Sequence, residues 1–118
     1  PVVNNESTQI IGNVIYIDNY GNVVSNINKT LFDKVGKGRD YKITARRANF
    51  DVVHTHYSDA INFEIPKERR EEDGKKLAVW NSAGFLELAI YKSNPTTVGS
   101  AATLFGLEFR DAVTVNFI

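Results

Sequence analysis

Two short turns hold the side chains best suited to gripping a small polar molecule. Asp18-Asn19-Tyr20-Gly21-Asn22 packs a carboxylate, an aromatic ring and a carboxamide beside a glycine, a residue that lets the backbone approach a ligand closely. Such a turn suits a zwitterionic or purine-like molecule. The carboxylate pairs with an ammonium, the ring stacks, and the carboxamide donates and accepts toward a base edge. Asn81-Ser82-Ala83-Gly84 is the second turn, where a hydroxyl and backbone amides can bind a carboxylate. Taken singly, each reads first as an ordinary turn, because Asp, Asn and Gly are common turn formers. The pair is the stronger signal.

Other chemistries find less support. His54 and His56 are the only histidines, and on a strand an i, i+2 pair puts both rings on one face, as a metal pair requires. Two ligands are not a site, and no third is fixed by spacing, so no metal is expected. With no cysteine there is no thiolate nucleophile, disulfide or Cys-based zinc site. Ser82 has no His or Asp at a motif spacing, and no nucleophile elbow occurs, so catalysis by this chain alone is not expected. Fourteen basic and 14 acidic residues leave zero net charge and no global field to attract nucleic acid or an anionic membrane. No apolar run approaches the roughly 20 residues of a membrane-spanning helix. A soluble, cytoplasmic protein is the expectation.

The elements that must position these turns are short. With 118 residues, 42% hydrophobic and 24% charged, the chain suffices for one globular core. Its opening, through Asn4-Asn5-Glu6-Ser7-Thr8-Gln9, reads as an interdomain linker, so residues 1–9 are assigned to a linker from a missing N-terminal domain and 10–118 to one C-terminal domain. A strand over Ile10 to Ile17 enters the first turn and a second leaves through Val23-Val24-Ser25. Thr30 and Asp33 have the form of a capping box before Leu31, Phe32 and Val35, and Gly36 and Gly38 can end a helix, placing one at about 30–36. Tyr41 to Arg46 and Phe50 to Tyr57 alternate as strands do. Lys67 to Lys76, KERREEDGKK, reads as a solvated loop. Strands from Leu77 to Asn81 and from Phe85 to Tyr91 flank the second turn, Ser100 to Phe105 suits one helical turn, and Ala112 to Ile118 closes the chain as a strand. Six or seven short strands with little helix make this an all-β fold, a small antiparallel β-barrel with one or two short helical turns. No internal repeat is visible.

The stretch Val14-Ile15-Tyr16-Ile17-Asp18-Asn19-Tyr20-Gly21-Asn22-Val23-Val24-Ser25-Asn26-Ile27 resembles the V-x-Y-x-D-x-F-G-N-x-x-T-N-I segment that opens the C-terminal domain of the S-adenosyl-L-methionine hydroxide adenosyltransferases (DUF62), the family that includes the fluorinase and chlorinase. Asn81 to Ala89, NSAGFLELA, is similar to that family's N-S-x-G-x-L-E-I-A signature. Leu104 to Val115 resembles its closing segment, with Arg110 where glycine is usual. The three segments occur in the family's order and span nearly the whole chain.

The resemblance implies a C-terminal β-barrel that binds S-adenosyl-L-methionine against the larger N-terminal α/β domain of a neighbouring subunit, in a trimer. By motif position, Asp18 pairs with the methionine ammonium, Tyr20 stacks on adenine, Asn22 bonds the adenine edge, and Ser82 with the adjoining Ala83 backbone holds the methionine carboxylate. Tyr57 is the candidate for a second adenine-stacking ring. Halogenating members carry S-R-G where this chain has Ser82-Ala83-Gly84, a departure that leans toward the hydroxide-using members. These convert S-adenosyl-L-methionine and water to adenosine and L-methionine, with water activated by an Asp, Arg and His set in the N-terminal domain. The resemblance implies no metal or organic cofactor and assigns this chain no catalytic residue. The competing reading is a stand-alone β-barrel binding oligonucleotides through Arg46, Arg47, His54 and His56, with Tyr41 and Tyr57 as stacking rings; zero net charge speaks against it.

Overall fold

Alternating apolar residues define the strands of the computed structural model, which describes residues 1–46, 48–55, 76–90 and 101–118. The elements are β1 Val2–Val3, β2 Gln9–Ile17, β3 Val23–Asn28, α1 Lys29–Gly36, β4 Tyr41–Ala45, β5 Ala48–Phe50, β6 Val53–His54, β7 Lys76–Trp80, β8 Phe85–Ile90, α2 Ala101–Phe105 and β9 Ala112–Phe117. Ile10 and Val14 of β2, Ile43 and Ala45 of β4, Leu86 and Leu88 of β8, and Val113 and Val115 of β9 all join one buried cluster. Each pair is spaced by an even number of residues, which puts both members on one face of the pleat. Leu77, Val79 and Ala89 form a small second cluster, on the other face of β7 and β8.

The sheet runs β5-β4-β9-β2-β3-β8-β7-β6, with β1 paired to β2 off that path. Its two end strands are consecutive in sequence, separated by Asp51 and Val52 alone, so the sheet curls nearly into a barrel. The all-β expectation holds, with nine strands among the described residues rather than six or seven. The run from Phe50 is not one strand: β5 pairs antiparallel with β4, and β6 pairs with β7 in parallel. Within the stretch assigned to a linker, β1 pairs with Ile10 and Ile11, and Asn4 Oδ1 accepts from the Thr8 and Gln9 amides. His56, Tyr57, Arg47 and residues 67–75 of the charged run lie outside the described residues. Among those described, no helix is long and apolar enough to cross a membrane.

The expected helix forms, with a different cap. Asn28 keeps an extended backbone and its side chain accepts from the Leu31 amide at 2.7 Å, which satisfies a first-turn donor. Thr30 therefore already lies inside the helix. Asp33, instead of closing a capping box, accepts from Lys29 Nζ at 2.7 Å on the exposed surface. Phe32 packs α1 onto one end of the barrel, its ring meeting Tyr41, Trp80 and Phe117 at centroid distances of 4.8, 5.1 and 5.3 Å. At α2, Phe105 meets Phe50 edge-on at 5.7 Å.

Candidate functional site

The two glycine turns are built to one plan. In the first, the Asp18 amide donates to the Asn22 carbonyl and the Gly21 amide to the Asp18 carbonyl. Asp18 Oδ1 accepts from the Tyr20 and Asn22 amides, both at 2.9 Å. In the second, the Asn81 amide donates to the Phe85 carbonyl and the Gly84 amide to the Asn81 carbonyl. Asn81 Oδ1 accepts from the Ala83 and Phe85 amides at 3.0 and 2.9 Å. Gly21 and Gly84 sit at φ of 80° and 84°, a left-handed conformation that closes a three-residue hairpin loop and favours glycine. A helical amide braces each glycine carbonyl: Ala102 of α2 donates to Gly21 and Lys29 of α1 to Gly84, each at 2.9 Å. The recurring Asx-x-x-Gly pattern at 18–21 and 81–84 is the sequence trace of this shared device.

The turns differ in charge. The plan needs a side-chain oxygen at its first position, and Asn81 supplies one without a charge. The negative charge of Asp18 therefore exceeds what the turn requires. Its second oxygen accepts from Asn22 Nδ2 at 3.1 Å.

Strand register sets the distance between the turns. Val23, which follows the first turn, pairs with Leu88, whereas Phe85, which follows the second, pairs with Asn28. The turns thus lie at opposite ends of the β3–β8 pair, roughly 10 Å apart along the strands at about 3.3 Å per residue. Asp18, Tyr20 and Asn22 come together at one end, Ser82 and Ala83 at the other. Tyr20 is 78% exposed, and its ring is open to a stacking partner. Around the second turn lies a cleft of about 670 Å³ lined by Lys29, Thr55, Val79, Trp80, Asn81, Ser82, Gly84 and Glu87.

Glu87 is matched in the second signature, which assigns it no role. It pairs across the sheet with Val24 and Val79, between the two turns. Burial pushes its carboxyl above the ordinary value, the Asp18 carboxylate pushes the same way, and the Asn81 amide, donating to it, pulls it partly back. The sequence signal was a lone carboxylate in the apolar strand Phe85–Ile90. Because the folded state holds this proton more tightly than the unfolded chain, the associated stability is present below the ordinary value near 4.5 and is lost as pH rises through the raised one. Glu87→Gln should remove that loss, a few tenths of a kcal/mol after solvent screening of a half-buried group. Denaturant midpoints of both proteins at about pH 4 and pH 7 check it: wild type should fall relative to the variant on going up in pH.

Two of the residues proposed for oligonucleotide contact, Arg46 and Tyr41, are otherwise engaged. Arg46 Nε and Nη2 donate to the two Asp111 oxygens at 3.0 and 3.1 Å. Tyr41 accepts from the Val53 amide at 2.8 Å and packs on Phe32. Among the described residues no group of three or more His, Asp or Glu gathers as a metal site.

Residues 12–114 match the family described as the SAM hydroxide adenosyltransferase C-terminal domain. No curated protein matches the chain. Among solved structures the chain is similar to an uncharacterized conserved protein from Thermotoga maritima, with a TM-score of 0.62 and 28% identity over 98% of this chain and 38% of that one. It also shares the fold of a conserved hypothetical protein from Thermus thermophilus, at a TM-score of 0.50 and 21% identity over 92% of this chain and 34% of that one. The chain thus spans little more than a third of either protein's length.

Proposed function

Because the chain belongs to the family of SAM hydroxide adenosyltransferase C-terminal domains, we propose that it is the substrate-binding part of an adenosine-forming S-adenosyl-L-methionine hydrolase. The observation that carries this reading is a line of complementary groups along one strand pair. Ser82 stands at one end, Glu87 in the middle, and Asp18, Asn22 and Tyr20 at the other. An elongated ligand with a carboxylate, then an ammonium, then a purine meets them in that order. Ser82 receives the carboxylate, the Asp18 charge faces the ammonium, Asn22 bonds the adenine edge, and Tyr20 covers its face.

In the reaction, a water oxygen attacks the ribose C5′. The C5′–O bond forms as the C5′–S bond breaks, the electron pair leaves with sulfur as a neutral thioether, and the water's proton passes to solvent. Displacement at carbon asks the protein chiefly for alignment and exclusion of bulk water. This chain supplies the alignment, while an N-terminal domain and neighbouring subunits, in a trimer, close the site and activate the water.

The complete protein incubated with S-adenosyl-L-methionine should release adenosine and L-methionine in equal amounts, with no halogenated nucleoside when chloride or fluoride is added. The 118-residue chain by itself should release none. Adenosine from the chain alone, or oligonucleotide binding by a complete protein that leaves S-adenosyl-L-methionine intact, would overturn this reading.

A further inference from the structure

We propose that Glu87 is a positioning residue: its carboxyl group accepts from the Asn81 side-chain amide across the sheet and so holds the second turn, with Ser82 at its tip, in one shape before a ligand arrives. The inference rests on the reading of this site as one for S-adenosyl-L-methionine and adds what keeps the second turn in order.

Each turn hangs on one side chain. In the first, Asp18 Oδ1 accepts two backbone amides, and its outer oxygen is held by Asn22 Nδ2 at 3.1 Å. In the second, Asn81 Oδ1 accepts the Ala83 and Phe85 amides, and the outer end of that side chain is an NH2 group, which needs an acceptor where Asp18 needs a donor. Strand register supplies one. The Asn81 amide donates to the Phe85 carbonyl, which sets Asn81 opposite Phe85. Glu87 lies two residues further along β8, on the same face and at the diagonal position that a long side chain reaches. Asn81 and Glu87 line one cleft, and the Asn81 side chain donates to the Glu87 carboxyl. A carboxamide backed by a carboxyl group in the second turn thus mirrors a carboxylate backed by a carboxamide in the first.

An apolar side chain would serve β8 better for folding alone. Glu87 is flanked across the sheet by Val24 and Val79, both of them buried, and a carboxyl group in an apolar row costs the fold unless it is partnered. The ion pairs among the described residues, Lys29–Asp33 and Arg46–Asp111, do not use it. The Asp18 carboxylate, a like charge at the first turn, disfavours an approach to that side and leaves Asn81 as the partner. With an acceptor behind it, the Asn81 amide cannot turn its NH2 group toward the loop amides without losing bonds at both ends. Ser82 sits between Asn81 and Ala83, whose amide the Asn81 side chain holds, so the loop tip that carries its hydroxyl is set in advance, which lowers the ordering cost of binding.

Hydrogen–deuterium exchange, calorimetry and melting temperatures of the complete protein test the inference together. Glu87→Leu suits the apolar row between Val24 and Val79 and should hold or raise the melting temperature. Exchange in the segment from Ser82 to Leu86 should nevertheless quicken by about three- to tenfold, and affinity for S-adenosyl-L-methionine should fall by a similar factor. A residue that served only the fold would move affinity and melting temperature in the same direction. Glu87→Gln keeps an acceptor for Asn81 and should recover most of both losses. Asn81→Asp sets two carboxyl groups against each other and should quicken exchange in the same segment. Combined with Glu87→Gln, it rebuilds the carboxylate-and-carboxamide pair of the first turn and should return exchange to within about twofold of wild type, a coupling expected only of side chains in contact. Unchanged exchange in Glu87→Leu, or a double variant no better ordered than Asn81→Asp alone, would overturn the inference while leaving the functional reading intact. A wild-type protein that does not bind S-adenosyl-L-methionine would overturn the functional reading, and the exchange results would still decide whether Glu87 orders the turn.

Discussion

Asp18→Asn in the complete protein should weaken S-adenosyl-L-methionine binding by about 30-fold to nearly 1000-fold, roughly 2 to 4 kcal/mol, with little change in melting temperature. The second turn is the reason to expect the fold to survive. There Asn81 accepts the same two backbone amides, at 3.0 and 2.9 Å, that Asp18 accepts at 2.9 Å. An Asn at position 18 keeps both bonds, and rotation of the Asn22 amide restores an acceptor for the new NH2 group. What disappears is the charge, and an ammonium in a water-poor interface then loses its partner. Asp18→Ala should behave differently. It leaves the Tyr20 and Asn22 amides without their shared acceptor in a solvent-accessible turn, which costs the fold about 0.5 to 1.5 kcal/mol, on top of the lost binding. If Asp18 served the turn alone, Asp18→Asn would leave affinity within about threefold, and only the alanine variant would register, in stability. Calorimetric affinity and melting temperature of both variants decide between these outcomes.

Leu88→Ala should carry the largest loss of stability, about 2 to 5 kcal/mol. Leu88 is fully buried and pairs with Val23 on one side and Ala78 on the other, in the strand that spaces the two turns. Truncation leaves a cavity among neighbours fixed by three strands, which limits collapse around it. Against a total of about 5 to 15 kcal/mol, such a loss lowers the melting temperature by on the order of 10 °C. Chemical and thermal denaturation measure it. A loss below about 1 kcal/mol would contradict the position of Leu88 in the barrel interior.

What the sequence disclosed follows from how local each signal is. Both turns were legible because Asx and Gly at fixed offsets satisfy the turn within a few residues, without help from distant chain. The helix at 29–36 was legible for the same reason, yet its start was misplaced: Asn28 and Thr30 are both able caps, and only the extended backbone at Asn28 decides between them. The parallel pairing of β6 with β7 had no local signal, since it depends on where a distant segment returns. Two-residue β1 is too short to show a period. Arg110, found where glycine is usual in the resembling family, sits at a φ of 76°. That conformation explains the preference for glycine, and the arginine is held there by its amide donating to Val14 and its carbonyl accepting from Asn13 Nδ2. Within the site, Asp18, Tyr20, Asn22 and Ser82 were visible as turn residues. Glu87 and Lys29 were not, because they join the cleft through strand register and the packing of α1 on the second turn.

The central claim is that one S-adenosyl-L-methionine molecule engages both turns of this barrel. Hydrogen–deuterium exchange of the complete protein, with and without saturating S-adenosyl-L-methionine, tests it most directly. Exchange should slow together in the segments 18–24 and 81–88 on binding, and Asp18→Asn should abolish the slowing at ligand concentrations that saturate the wild type. Protection confined to one turn, or absent from both while the ligand is bound, would contradict the account.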